Sequence, residues 1–516
     1  MDCMADKFAM EGTDQSASGD SSGVNFFDIL REHAVTQPDH PAIEDGNRVV
    51  SYKELNELTD RGAGNLCQCG VNIGDTVGVM LGNTADNLII SCVIARAGGV
   101  IFSIPPNLTI AEVAEKMRDT GSCLLVTDSF QGSNDSFSWL SPGEIFEDHH
   151  LPFDGRSSTG EAALILVETS GTTGKAKRFI LSHTKMLQRS NRFRKIQNWT
   201  NKERYSSLIH LSFFTSRSYY GFMLHLGATV VIPQGRSYGD FVTFINEKNV
   251  SQLKVAPIFM RELLAFAKDK NLLFPNLRKL SVSGAPITAD ERAAVRAFLS
   301  PNLSETYGSN ETGTVVYSDS VLQKAEPNSL GRVVDNVEAQ IVDEYDNELP
   351  FGEVGLVRFK APDFPTEYLE NTEATKHTFR DGWVYPGDNA MLNNEGFLFF
   401  MGRADDAIIN SGVNVYPIEI ENILLKHPEV LEAAVFPWPH PLAGEVAVAC
   451  VVTRTSSTAG KLQKFCAANA PPHKVPRYIM SVQSMPRSPM GKIMKNKLIE
   501  KMRIGLAREG PAINPL

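Results

Sequence analysis

The sequence predicts an α/β protein whose texture changes twice along the chain. Through about residue 330, short apolar runs alternate with helical segments, which implies parallel sheets covered by helices on both faces. Over 331–359, valine and isoleucine alternate with polar residues, and turn signals such as Asp346-Asn347 intervene, as in antiparallel strands of a small β-barrel. Beyond Arg403 a helix at 418–427 and strands at 433–436 and 447–452 predict a small α+β tail.

The elements follow in order. Residues 1–23 are polar and rich in Ser, Gly and Asp, and predict a disordered tail. An amphipathic helix is expected over 25–36, a strand at 49–52 and a helix from Tyr52 to 66. Strands are expected at 77–81, 100–102 and 124–126. The apolar window 87–104 contains Arg96 and the pair Gly98-Gly99, so it reads as a buried helix followed by a strand and not as a membrane span. An apolar run at 162–167 predicts a buried strand, 179–181 a second strand, and Ser182 a helix cap. The same rhythm continues from 228–232 to 279–282.

Bulk properties narrow the class. A chain of 516 residues implies several lobes. Hydrophobic content of 42% and charged content of 21% are ordinary for a globular protein. A net charge of −10 argues against a nucleic-acid partner, whose footprint would be basic. The seven cysteines are scattered, and Cys67 and Cys69 have no second pair nearby to complete a zinc site, which fits a reducing compartment. No signal peptide is evident, and the expected location is cytoplasmic.

One segment carries chemistry on its own. Thr169, Ser170, Gly171, Thr172, Thr173 and Gly174 place two glycines among four hydroxyl residues, with Lys175 and Lys177 next. Glycines let backbone N–H groups turn toward one anion, and hydroxyls and ammonium groups add donors and opposite charge. Such a loop suits a polyphosphate. It is not a Walker A motif, because only two residues separate Gly171 from Gly174 and Ala176 follows Lys175.

Further motifs stand in a fixed order: Gly284-Ala285-Pro286; Tyr307-Gly308-Ser309-Asn310-Glu311-Thr312-Gly313; Tyr385-Pro386-Gly387-Asp388; Gly402-Arg403-Ala404-Asp405-Asp406 leading to Ser411-Gly412; and Pro489-Met490-Gly491-Lys492. Together with the loop, this set resembles the adenylate-forming superfamily of acyl- and aryl-CoA synthetases, amino-acid adenylation domains and luciferase-like enzymes, over roughly residues 25–500. The resemblance implies a large N-terminal adenylation domain (24–404) of two parallel-sheet αβ subdomains plus a small β-barrel, and a mobile C-terminal domain (405–516). It implies two half-reactions. A carboxylate attacks the α-phosphate of ATP, giving an acyl-adenylate and pyrophosphate. A thiol then takes the acyl group and releases AMP.

The same resemblance implies roles by position. Residues 169–174 and Lys177 would hold the β- and γ-phosphates, with Thr172 counted in the catalytic set. Glu311 would take Mg²⁺, a hard ion suited to carboxylate and phosphate oxygens. Tyr307, with Gly308 and Ser309, would lie against adenine, which Gly284, Ala285 and Pro286 would line with backbone atoms. Asp388 would accept from the ribose hydroxyls, and Arg403 would contact ribose or phosphate. Lys492 would bridge the substrate carboxylate and the α-phosphate. Asp405 matches the hinge, and Ser411 and Gly412 the coenzyme A channel. The loop departs from the family pattern at Ala176, where proline is usual, and at Arg178, where glycine is usual. Neither change removes a phosphate donor, so ATP affinity is what they bear on.

Substrate choice is expected to rest on 211–227 and 255–260, with Phe213, Phe214, Arg217, Ala256 and Pro257 in the pocket. Phe214 stands where adenylation domains carry the Asp that pairs an α-ammonium, so an α-amino acid is disfavoured. An aromatic or medium apolar acid is expected, with Arg217 meeting a second anionic group or facing water. The expected activity is ATP-dependent acid–CoA ligation by a monomer or homodimer. The alternatives are loading of a separate carrier-protein phosphopantetheine and a non-catalytic nucleotide-binding homologue. The joint presence of Lys492, Glu311 and Asp388 speaks against the last.

Overall fold

The computed structural model describes residues 25–46, 48–129, 137–148, 159–169, 176–235, 237–267, 271–454, 459–487 and 492–508. The expected N-terminal tail, Ser170 to Lys175 of the expected phosphate loop, and Pro489-Met490-Gly491 of the last motif lie outside them.

The first sheet has six strands in the order Ser138–Leu140, Leu124–Thr127, Thr76–Met80, Val100–Ser103, Ala163–Thr169 and Lys177–Ser182. All neighbours are parallel except the last pair, an antiparallel hairpin. Its central strands are buried on both faces, which explains their continuous apolar runs. Helix Ala85–Arg96 carries apolar residues on every side because all of it but Asp86 is buried, and it starts where the Thr84 hydroxyl accepts from Asn87 N. Arg96 is accommodated there by Asp60 and Asp28.

The second sheet begins with a hairpin, Pro41–Asp45 and Arg48–Ser51, at its edge. Thr229–Ile232 pairs with Pro41–Asp45, and Arg204–Ser207, Gln252–Val255, Lys279–Ser283 and Leu303–Ser309 follow, all parallel. Gly313–Ser318 then turns back antiparallel to Leu303–Ser309. Through it Gly331–Val333, Phe397–Arg403, Asp388–Leu392 and Val354–Lys360 are hydrogen-bonded onto the same sheet. The antiparallel part therefore continues the parallel sheet without a break.

Helix His183–Gln197 opens at Ser182, whose hydroxyl accepts from Lys185 N, and closes at Asn198 with φ 52°. Helix Phe214–Leu226 closes at Gly227 with φ 81°, the left-handed position that glycine fills without strain.

The chain leaves the second sheet at Arg403, passes a short 3-10 turn at Ala404–Asp406, and enters a third sheet at Ile408–Asn410. That sheet contains Val413–Val415, Ile408–Asn410, Gly444–Thr453, Val430–His440 and Tyr478–Ser481. Leu498 and Met502 of the final helix, Lys495–Arg508, pack with Phe436, Val448 and Met485 beneath it. Lys495 ties this helix to Asp406 at 3.2 Å and to Glu421 at 3.3 Å.

Candidate functional site

The hairpin of Ala163–Thr169 and Lys177–Ser182 forms the base of the glycine loop. Thr169 pairs with Lys177 across it, so the two ends of the loop are held side by side. Lys177 and Arg178 point to opposite faces of their strand, as neighbours in a strand must. The Lys177 ammonium lies 5.3 Å from the centre of the Tyr368 ring. Arg178 turns the other way and donates to the Asp119 carbonyl, with Glu370 at 4.0 Å. The added charge at Arg178 is thus directed away from Tyr368 and Lys177.

Tyr368 connects Lys177 to the next motif. Its hydroxyl donates to Glu311 Oε1 at 2.6 Å, and Glu311 is buried. Burial raises the Tyr368 hydroxyl pKa, and the neighbouring Glu311 raises it further, so the phenol stays a donor. The backbone around Glu311 is clamped from behind. Arg189 donates to the carbonyls of Asn310 and Glu311, and Arg192 to the carbonyl of Thr312 at 2.8 Å. Both guanidinium groups share one buried carboxylate, Asp363, at 3.3 Å from Arg189 and 2.6 Å from Arg192. Burial lowers the Arg189 pKa to about 10, and Asp363 opposes that shift.

The turn itself requires glycine. A Cβ at Gly308 would lie 1.7 Å from the Gly313 carbonyl oxygen. Gly308→Ala is expected to destabilise the protein by about 1–3 kcal/mol through overpacking and to displace the Glu311 turn. A lower melting temperature together with weaker ATP binding would show this; unchanged values in both would refute it.

Tyr307 and Asp388 meet directly. The Tyr307 hydroxyl donates to Asp388 Oδ2, and Arg403 donates to Oδ1 at 3.0 Å. Each carboxylate oxygen keeps a further lone pair for a ligand hydroxyl. Arg403 also donates to the Pro386 carbonyl, which fixes its guanidinium beneath Gly387. Burial raises the Asp388 carboxyl pKa; Arg403, the Tyr307 hydroxyl and the Lys492 ammonium pull it back. Arg403 also acts on Tyr368. The Lys177–Tyr368–Glu311 group and the Tyr307–Asp388–Arg403 group therefore share one electrostatic neighbourhood, and Lys492 of the small unit reaches it. An isolated bridge joins Arg487 to Ile493, beside Lys492, and Arg487 pairs with Glu432 on strand Val430–His440 of the third sheet.

The remaining positions are peripheral to this cluster or only partly inside it. Gly284, Ala285 and Pro286 form an exposed turn after Lys279–Ser283, with Gly284 at φ 108°. Ser309 and Thr312 bond each other within the Glu311 turn. Asp405 is exposed in the short turn between sheets, 4.0 Å from Arg403. Ser411 and Gly412 form an exposed left-handed turn, with φ 51° and 81°. Phe213 and Phe214 open their helix half-buried, Phe214 with its ring 5.9 Å from the Arg189 guanidinium. Ala256 and Pro257 are buried at the end of Gln252–Val255.

Arg217 requires correction. It neither faces water nor stands beside Phe214 as a free pocket cation. It is fully buried and donates to Ser91 Oγ and to Asn87 Oδ1 at 2.8 Å in helix Ala85–Arg96. Two residues on a helix turn it about 200°, so Arg217 and Tyr219 occupy opposite faces. Sequence reasoning missed Arg189, Arg192, Asp363 and Tyr368. The i, i+3 spacing of the two arginines was the one available signal.

Among the described residues no group of three or more His, Cys, Asp or Glu side chains is placed to hold a metal. No helix among them is long and apolar enough to cross a membrane.

Comparison with known proteins adds the family. Residues 30–369 match the AMP-binding enzyme family, and residues 419–492 match the AMP-binding enzyme C-terminal domain. The fatty acid–[acyl-carrier-protein] ligase ScoC of Streptomyces coeruleorubidus is 29% identical, over 91% of this chain and 95% of its own length. The mitochondrial acyl-coenzyme A synthetase ACSM4 of Rattus norvegicus is 26% identical, over 91% of this chain and 88% of its own length. The O-succinylbenzoate coenzyme A synthetase of Bacillus subtilis, solved with ATP and magnesium ion, superposes with a TM-score of 0.82 at 25% identity, over 92% of this chain and 99% of that one. With both family segments in order along one chain, the first covering more than half of it, the protein belongs to the AMP-binding enzyme family of the adenylate-forming superfamily.

Proposed function

We propose that the protein is an AMP-forming acid–CoA ligase that activates an aromatic or medium apolar carboxylic acid at the Asp388 centre and passes the acyl group to coenzyme A. One observation carries the reading. A buried carboxylate is held by Tyr307 and Arg403 and feels the charge of a lysine from the far end of the chain. A nucleotide in that cleft would find acceptors for its ribose hydroxyls and cations for its phosphates.

The difficulty of the first half-reaction is repulsion, since an anionic acid must approach an anionic triphosphate. Lys177 and Lys492 would supply positive charge from opposite sides of the cleft, aimed where charge develops. Glu311 fits a magnesium site in its chemistry. Tyr368 engages Oε1, and Oε2 accepts from no described residue. Mg²⁺ needs only one or two protein carboxylates when phosphates complete its shell. When bound, the ion would neutralise phosphate charge. Arg189 and Arg192 hold the Glu311 backbone and so position the carboxylate without touching a ligand.

The acid would enter beside Phe213 and Phe214. Phe214 offers no partner to an α-ammonium, and burying one there costs several kcal/mol. The second half-reaction would follow rotation about Asp405, bringing the Ser411-Gly412 turn to the thiol. A second reading keeps the adenylation and changes the acceptor. The relationship to a fatty acid–[acyl-carrier-protein] ligase favours a carrier-protein phosphopantetheine as that acceptor.

The test is pyrophosphate release with MgATP over a panel of acids, with and without coenzyme A. Acid-dependent release and an acyl-CoA product are expected. Release without any acyl-CoA product would favour the carrier protein. No release with any acid would overturn the ligase reading.

A further inference from the structure

The hairpin of Ala163–Thr169 and Lys177–Ser182 overhangs the first sheet. Lys177–Ser182 is the edge strand, and Val100–Ser103 pairs with Ala163–Thr169 only at Ile165 and Leu166. The pairs Val167–Phe179, Glu168–Arg178 and Thr169–Lys177 lie beyond that support, with no third strand beside them among the described residues. A two-stranded ribbon is marginally stable by itself. Lys177 stands at its tip, so the place of the Lys177 ammonium depends on what fastens the ribbon.

One fastening is apolar, because Val167 and Phe179 are buried. The other is polar and lies on the opposite face. Glu168 and Arg178 stand directly across from each other, so their side chains leave the ribbon on the same side. Both reach helix Ile110–Asp119. Glu168 pairs with Lys116, and Arg178 donates to the carbonyl of Asp119, three residues further on. Residues three apart are neighbours on a helix surface. The Asp119 carbonyl belongs to the last turn, where carbonyls lack partners within the helix and a cation is favoured. The helix is a firm base, since Val113 and Met117 are buried in one cluster with Phe102, Leu125 and Leu166.

Arg178 also holds the other flank. Its backbone carbonyl accepts from Leu369 N at 2.7 Å, and Glu370 lies 4.0 Å from its guanidinium. Leu369 follows Tyr368, whose ring lies 6.3 Å from that of Phe179 and whose hydroxyl bonds Glu311. A single residue therefore joins the helix, the ribbon that carries Lys177 and the segment that carries Tyr368.

We propose that Arg178, assisted by Glu168, is a positioning residue for the triphosphate: it fastens the ribbon to helix Ile110–Asp119 and so holds Lys177 against Tyr368, beside Glu311. Arg178 itself touches no ligand. The inference rests on the ligase reading above, in which Lys177 meets the outer phosphates and Glu311 the magnesium ion, and it deepens that reading.

The test is nucleotide binding to the full chain, by titration calorimetry with MgATP and with AMP, in the absence of any acid. AMP has no β- or γ-phosphate and serves as the internal control. Arg178→Ala is expected to weaken MgATP binding tenfold or more and to leave AMP binding within twofold. Glu168→Gln is expected to weaken MgATP binding by a smaller factor. Arg178→Lys is expected to restore part of the loss, because an ammonium can still donate to the Asp119 carbonyl. The tether acts through Lys177, so its removal should cost little once Lys177 is gone. In a Lys177→Met background, Arg178→Ala should weaken MgATP binding less than threefold further. Unchanged MgATP binding in Arg178→Ala, an equal loss for AMP, or the full tenfold loss in the Lys177→Met background would overturn the proposal and leave the ligase reading in place. Wild-type protein that binds neither nucleotide would remove the ligase reading and this inference with it.

Discussion

Lys492→Ala is expected to lower acid-dependent ATP–pyrophosphate exchange by about 10²–10³-fold, the usual loss when one donor aimed at a developing charge is removed. The side chain stands beside Ile493, which bridges to Arg487, and Arg487 pairs with Glu432 of the third sheet; the Lys492 charge acts on Asp388. It therefore serves the cleft only while the small unit faces it. In the rotation proposed above, conversion of a supplied acyl-adenylate to the thioester uses a different face of that unit, so this half-reaction should stay near the wild-type rate. Exchange at the normal rate in Lys492→Ala would end the assignment. Loss of both half-reactions together would point to a folding defect, which a melting curve would reveal.

Asp363→Ala should produce the largest loss of stability. One buried carboxylate serves Arg189 and Arg192, and both guanidinium groups hold the backbone of Asn310, Glu311 and Thr312. Removing it leaves two buried cations without a counter-charge. Breaking a buried pair costs about 3–5 kcal/mol, and the shared geometry places this case at the upper end. Urea unfolding should show a lower midpoint at unchanged slope. Exchange activity should fall as well, because the Glu311 turn loses its support. A variant as stable as the parent would show that the clamp contributes nothing. Asp363→Asn should retain part of the stability, since its amide oxygen still accepts from one arginine.

Much of this fold was legible where local chemistry decides the outcome. Ser182 begins its helix through its own hydroxyl, and Ser51 and Thr84 do the same. The window around Ala85–Arg96 was legible as a buried helix because it is apolar on every face. The motif residues Tyr307, Asp388 and Arg403 came from resemblance, and their mutual bonds were beyond sequence reasoning. The clamp was not legible. Arg192 and Asp363 meet across 171 positions of chain, and a charged side chain carries no periodic signal of its distant partner. Arg217 was misplaced because a segment was assigned to the pocket as a whole, whereas the helix face determines which side chains arrive there. The burial of Lys254 on strand Gln252–Val255 was not legible for a related reason. Polar residues alternating with apolar ones suggest one wet face, but this strand is covered on both sides.

The N-terminal hairpin has a consequence for biosynthesis. Ile43 pairs with Val230, although the whole first sheet lies between them in the chain. A nascent chain that has completed the first sheet still carries an open strand edge at Pro41–Asp45, and the edge remains so until Thr229–Ile232 leaves the ribosome. Open edges recruit other strands. Slow translation between those two segments should therefore favour aggregation, and a holdase acting in that interval should raise the yield of native protein.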